Sequence, residues 1–470
     1  MNFRNIYKNF LFASISRFIT ALIGLVILGF LTRHLGQAGF GAYETILAYL
    51  FIFTVLADFG LHVVHVREIS RHPENESFIS SNFFTLRLIL VASTVILALI
   101  VGIFLPYPPE IKKGIMVASF FVVFSSLSQV LGGIFQKYGN FYLVSISDVF
   151  SRIIQLILVV LAVKNDLGLV SFVFILSLTS IIQFLIILFM SRRLINFSLG
   201  ISLSYAKKIL KVSLPVAASI LFTAIYIRTD TLMLSLMKPQ ADVGIYRLSA
   251  KLLETIVFFP ALLVELTMPS FSEFAFRTKN LFWPVFKKTF NVLFVLAVPT
   301  AVYLFVLAEN IAVILGGREF LASALPLKIL AFVIVLVFLN NLGGKTLIAL
   351  DLQKKGMRIY LFGAIVNIFL NFLVIPKYSY VGASLTTLLT EILVTAMMFS
   401  ILYQKTEIQT DGRLLAKSLF AGLVMGFAIY QFKEQNILIP FFLGLFIYFP
   451  ALYFLKAFAK EDLKEIFQRV

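Results

Sequence analysis

Apolar runs of about 18 or more residues recur along the whole of this chain, and no other feature restricts its fold so tightly. At 1.5 Å per residue, each run wound as a helix crosses roughly 30 Å of hydrocarbon. Composition closes the alternative. With 60% hydrophobic residues, 13% charged ones and a mean hydropathy of +0.98, the chain cannot clothe a water-soluble domain in polar surface. The sequence therefore predicts an all-α integral membrane protein.

Charged or proline-containing connectors divide it into fourteen spans: 10–32, 44–64, 82–105, 115–136, 142–163, 168–190, 211–236, 244–271, 284–307, 322–350, 357–376, 380–403, 414–432 and 437–458. The first run, Phe10 to Leu31, exceeds the apolar core of a signal peptide and lacks a small-residue cleavage site. Placing the N-terminus inside puts about three times as many Lys and Arg in inner connectors as in outer ones. Both termini are expected in the cytoplasm, in a multi-pass cytoplasmic membrane protein. The net charge of +17 is then mostly topology, spread over many loops, and it describes contact with anionic lipid rather than a nucleic-acid surface. No cysteine is present, which excludes disulfides and thiol chemistry.

One connector is written twice. LGQAGFGAY (35–43) joins spans 1 and 2, and KPQADVGIY (238–246) joins spans 7 and 8. Gln37, Ala38, Gly41 and Tyr43 recur as Gln240, Ala241, Gly244 and Tyr246. A second pair, Gln136-Lys137-Tyr138-Gly139 and Gln353-Lys354-Lys355-Gly356, keeps the register if a short element is inserted at Asn310–Phe320. Two like-oriented six-span lobes follow, 1–195 and 196–405, with spans 13 and 14 and a C-terminal amphipathic helix in 406–470. Paired lobes are a common design for alternating access, with substrate held between them.

Here the chain resembles the Wzx-like polysaccharide transporters of the MOP exporter superfamily, which also holds MATE drug exporters and lipid II flippases. The matching stretches are LTRHLGQAGFGAY (31–43) with ADFGL (57–61), SLPVAAS (213–219) with RTD (228–230), VGIYRLSAKLLE (243–254), LGGREFLASALPLKIL (315–330) and VNIFLNFLVIPKYSYVGASLTTLLTE (366–391). The resemblance implies flipping of polyprenyl-diphosphate-linked oligosaccharide across the cytoplasmic membrane for surface polysaccharide such as O-antigen. It also implies association with the polymerase and glycosyltransferases of that route.

Ionisable groups at membrane depth mark pathways. Arg228, Arg247 and Lys251 fall at comparable depth, and the i,i+4 pair Arg247/Lys251 repels unless an acid or an anion lies between. Glu254 and Asp230 are the acids at hand. Otherwise the cluster reads as a phosphate site, since Arg grips phosphate with a fork and Lys adds a point charge. Arg17 and Arg87 would be the first lobe's share, unless both snorkel to the inner interface. Asp148/Arg152 (i,i+4) and Lys251/Glu254 (i,i+3) read as local neutralising pairs, and Arg17 with Asp58 as one across helices. Asp58, Asp230 and Glu391 are candidates for ion or proton coupling, against plain hydrogen bonding to a neighbouring helix. Asn367 and Asn371 share a helix face for interhelical bonds or sugar contact. No cofactor motif is present, and His62 and His65 lack the neighbours of a metal site.

A lipid II flippase and a MATE-type drug or cation exporter remain the near rivals, though an exporter of cations would favour surplus acid in its lumen. A membrane-embedded glycosyltransferase needs an exposed acidic constellation and a large loop, and neither is found. The reading is therefore of a transporter rather than an enzyme.

Overall fold

The computed structural model describes residues 3–277, 279–405 and 412–457. Among these no strand occurs, and ten helical stretches are long and apolar enough to cross a membrane. Helix is the form hydrocarbon demands, because each N–H and C=O finds its partner within the segment. Two stretches, Phe12–Arg71 and Gln353–Gln404, have the length of two crossings each. They are broken at Gly36 (φ 63°) inside α1 (Phe3–Asp58) and at Ser379 (φ 46°) inside α13 (Gln353–Lys405).

Contact density divides the chain at Gly244. The first unit holds α1, α2 (Leu61–Arg71), α3 (Glu76–Phe104), α4 (Pro109–Lys137), α5 (Phe141–Lys164), α6 (Leu169–Ser191) and α7 (Leu203–Met237). Its buried faces join Leu127, Leu131, Ile134 and Phe135 of α4 to Phe184 and Ile187 of α6. α7 is tied in by Tyr107 and Ser235, whose hydroxyls lie 2.9 Å apart.

The two copies of the repeated connector meet inside this unit. A Cβ on Gly41 would overlap the Gln240 carbonyl oxygen and come 2.8 Å from Gly244 N. A Cβ on Gly244 would overlap the Gln37 carbonyl oxygen and come 3.2 Å from Gly41 N. The contact is reciprocal, each copy offering its glycine to the other's glutamine carbonyl. Thr45 Oγ1 adds a 2.7 Å hydrogen bond to Gln240 Oε1. Backbones approach this closely only where both lack side chains.

Two expected spans are interrupted. Span 2 turns at Phe59 (φ 47°) and Gly60 (φ 71°) before α2 begins, instead of running on to residue 64. Span 8 is two helices, α8 (Gln240–Ile256) and α9 (Phe258–Arg277). Pro260 has no N–H to offer the Ile256 carbonyl, so the helical ladder breaks there.

The second unit continues through α10 (Lys279–Val306), α11 (Ala308–Gly316), α12 (Ala324–Ala349), α13, α14 (Gly412–Gln431) and α15 (Leu438–Phe454). The inserted element expected at Asn310–Phe320 is α11 with a 3-10 turn at Arg318–Ser323. α10, α14 and α15 pack through Val295, Val298, Met425, Ile429 and Tyr448, with Tyr448 Oη donating to Val295 O at 2.8 Å. Most of the C-terminal amphipathic helix expected from the sequence, 458–470, lies outside the described residues.

Candidate functional site

At the end of α1 the backbone takes two left-handed residues in succession, one of them a phenylalanine, a conformation that costs of order 1–3 kcal/mol. Arg87 of α3 holds this turn. Its Nη1 donates to the Ala57 carbonyl at 2.9 Å and to Asp58 Oδ1 at 2.6 Å, and its Nη2 donates to Gln129 Oε1 at 2.8 Å. The guanidinium thus caps a carbonyl at the end of a helix and neutralises the acid beside it. One expectation changes here. Asp58 pairs with Arg87 rather than Arg17, because the turn swings the helix end toward α3. Arg87, 0% exposed and bound on both nitrogens of its fork, fastens this turn.

Arg228 belongs to the first unit, Arg247 and Lys251 to the second. Arg228 is half-buried, with its guanidinium carbon 4.9 Å from the centre of the Phe51 ring. Arg247 is 1% exposed and donates to Glu254 Oε1 at 3.0 Å, so one acid at hand is engaged by the arginine seven residues before it. Lys251 is half-buried. Asp230 is buried close by Arg228 in sequence.

On α13, Asn371 Nδ2 donates to Asn367 Oδ1 at 2.9 Å. The shared face is real, but this bond runs within one helix. Glu391 accepts from Asn340 Nδ2 at 2.7 Å, the helix-joining role weighed against ion coupling. His62 Nδ1 lies 2.9 Å from Gln129 O and His65 Nε2 lies 3.2 Å from Ser80 Oγ. Among the described residues no group of three His, Cys, Asp or Glu could hold a metal.

Within the first unit a cavity of about 240 Å³ opens between α1, α4, α5 and α6. Asp148 and Arg152 of α5 line it, and they do not clasp each other as their spacing suggests. Asp148 accepts instead from Gln183 of α6, and Arg152 Nη1 donates to Gln155 Oε1 at 2.7 Å. Arg17 stands within electrostatic range of Asp148 from the exposed face of α1. Sequence reasoning passed over Gln155 and Gln183. The available signal was two amides inside spans 5 and 6, where each polar group needs a partner.

The chain matches the family model described as "Polysaccharide biosynthesis protein" over residues 6–275, and the "MatE" model over 215–373. It is 22% identical over 221 residues to the "Probable low-salt glycan biosynthesis flippase Agl15" of Haloferax volcanii, covering 46% of this chain and 47% of that protein. It is 26% identical over 293 residues to "Sporulation protein YkvU" of Bacillus subtilis, covering 57% of this chain and 65% of that one. The chain thus spans about half to two thirds of the length of these relatives. In fold it is similar to the structure titled "Lipid II flippase MurJ, inward closed conformation", with a TM-score of 0.82, 16% identity and coverage of 95% and 99%.

Proposed function

We infer the activity from the premise that this chain belongs to the polysaccharide biosynthesis protein family: it carries lipid-linked oligosaccharide across the membrane by alternating access. The observation that carries the reading is this family match on a frame whose described residues hold ten helical stretches long and apolar enough to cross a membrane. Agl15, named as a probable glycan biosynthesis flippase, supports it, and the MurJ-like fold is compatible with it.

On this reading fourteen crossings form two like-oriented six-span lobes and a C-terminal pair, with both termini in the cytoplasm. The diphosphate of a polyprenyl carrier is drawn to Arg228, Arg247 and Lys251, with Arg17 offered from the first lobe. Arg247 changes partner from Glu254 to phosphate as the substrate enters. Asn367 and Asn371 face the sugars, while Asp58, Asp230 and Glu391 are left to ion coupling. Polymerase and glycosyltransferases of the route are the expected partners, and the chain itself is a transporter. The MatE match favours a cation exporter as second reading, which the basic span residues oppose.

The test is flipping of labelled polyprenyl-diphosphate oligosaccharide in proteoliposomes. Arg228→Glu should cut the rate by roughly ten- to a hundredfold while insertion is unchanged, because a charge-assisted contact becomes repulsion. Arg228→Lys should retain an intermediate rate. Equal rates in native protein and Arg228→Glu would remove the phosphate role, and a native protein that moves organic cations instead would favour the exporter.

A further inference from the structure

Between α6 and the crossing part of α7 the first unit carries a non-helical strap, residues 195–202, that is pinned along α3 by its backbone. The Ser198 N–H donates to Ser81 Oγ at 3.1 Å, the Gly200 N–H to Thr85 Oγ1 at 3.0 Å and the Ser202 N–H to Asn82 Oδ1 at 2.7 Å. Phe197 adds a ring contact with Phe84, centroids 5.3 Å apart. The pinned residues alternate with apolar ones. Leu199 is 69% exposed and Leu203 80%, with Ile201 exposed between them. The strap thus gives its polar backbone to the protein and leaves an apolar comb uncovered.

α7 then continues the same surface. It runs from Leu203 to Met237, although its apolar crossing begins only at Ile220. The turns before the crossing sink Ala206 and Ile209 into a core with Leu61 and Val64 of α2 and Phe83 of α3. Outward they present Lys207, Lys208 and Lys211 beside exposed Val212 and Leu214. No acid occurs in the sequence between Asp166 and Asp230, and Glu68 of the neighbouring α2 lies 3.5 Å from Arg67. Leucines left in water are unfavourable, and so are lysines carried into hydrocarbon. The boundary of headgroups and acyl chains is the medium that suits both. A soluble anion would answer the lysines and leave the comb wet, so the phosphate must arrive with acyl chains attached.

We propose that the strap and the first turns of α7 form a docking surface for anionic phospholipid. Leu199, Ile201 and Leu203 enter the acyl boundary, while Lys207, Lys208 and Lys211 hold headgroup phosphates. The surplus of cations without acids selects anionic over zwitterionic lipid. Because the strap is bonded to α3 and continuous with α7, lipid held here sets the depth at which α7 begins. The flippase reading is not needed for this inference.

The chain has no cysteine, so Leu199→Cys places a single nitrobenzoxadiazole label on the strap of the full chain. The labelled protein is reconstituted in vesicles of equal parts phosphatidylcholine and phosphatidylglycerol, with a doxyl quencher on one lipid or the other. Both lipids should quench, with phosphatidylglycerol enriched about two- to fivefold at the label, the effect of one lysine at a membrane surface. Lys207→Gln/Lys208→Gln/Lys211→Gln in the same background should bring the two lipids level. Salt at about 1 M, where the Debye length is ~3 Å, should lower the enrichment with the lysines in place. If the triple variant does not fold, the salt arm decides. No quenching by either lipid would place the strap in water and overturn the proposal. Equal quenching by both lipids, or an enrichment that the triple variant retains, overturns it as well. Enrichment displaced by sparse polyprenyl diphosphate would give the surface to that carrier and not to phospholipid, which also ends the proposal.

Discussion

Gly41→Leu is expected to leave little folded protein, and Gly41→Ala to cost about 3 kcal/mol of stability, at the upper end of what overpacking costs. The position faces a backbone carbonyl, that of Gln240, and a carbonyl in a helical turn cannot swing aside as the tip of a side chain can. Gly244→Ala should cost a similar amount through the Gln37 carbonyl. Because both substitutions spread the same pair of backbones, the double variant should cost less than the sum. Gly24 supplies the control, since a Cβ there meets nothing within 4 Å. Gly24→Ala lies inside α1 and should stabilise by about 0.5–1 kcal/mol, the ordinary helix preference of alanine. Thermal unfolding of the five variants in detergent, followed by size-exclusion recovery, reads the signs directly. A Gly41→Ala protein melting with the native one would mean that the two connector copies do not touch.

Removing Arg87 should be the costliest loss of a polar contact in the first unit. Arg87→Met leaves Asp58 buried without its cation, strips a donor from the Ala57 carbonyl and frees the left-handed turn at Phe59. Breaking a buried pair from one side costs about 3–5 kcal/mol. The variant Asp58→Asn/Arg87→Met should recover part of that loss, because no charge is then stranded. Arg87→Lys should fall between, since one ammonium cannot reach three acceptors from two directions. Recovery and melting temperature of the purified proteins distinguish these cases. The outcome also decides between two roles for the residue. A stable Arg87→Met protein that no longer flips would assign Arg87 to the phosphate pathway, where its position in the sequence first places it.

The same residues show where sequence reading stops. That Arg87 is charged inside an apolar span is plain from the chain, and so is its need for a partner. Which acid answers is not, because Asp58 and Arg17 stand at matching depth on paper, and only the turn at Phe59–Gly60 directs Asp58 toward α3. Asp148 and Arg152 fail for a different reason. Helical spacing places them together, yet Gln183, from another helix, competes for the acid. Spacing along one helix cannot weigh a rival that arrives from a neighbour. The repeated connector is legible as a pattern, but nothing in the sequence says that the glycine of each copy meets the other's backbone.

Composition and the length of the apolar runs determined that this chain is helical and lies in a membrane, because unpaired backbone in hydrocarbon is too costly for any other form. Hydrophobic run length is a property of consecutive residues, so sequence alone can carry it. The engagement of Arg247 by Glu254, the mutual contact of Gly41 and Gly244, and the cavity beside Asp148 and Arg152 were decided only by tertiary structure. Pairing and cavities depend on which faces of distant helices turn toward one another. In an apolar solvent many rotations bury nearly equal oil-like surface, and close packing with a few polar contacts selects among them.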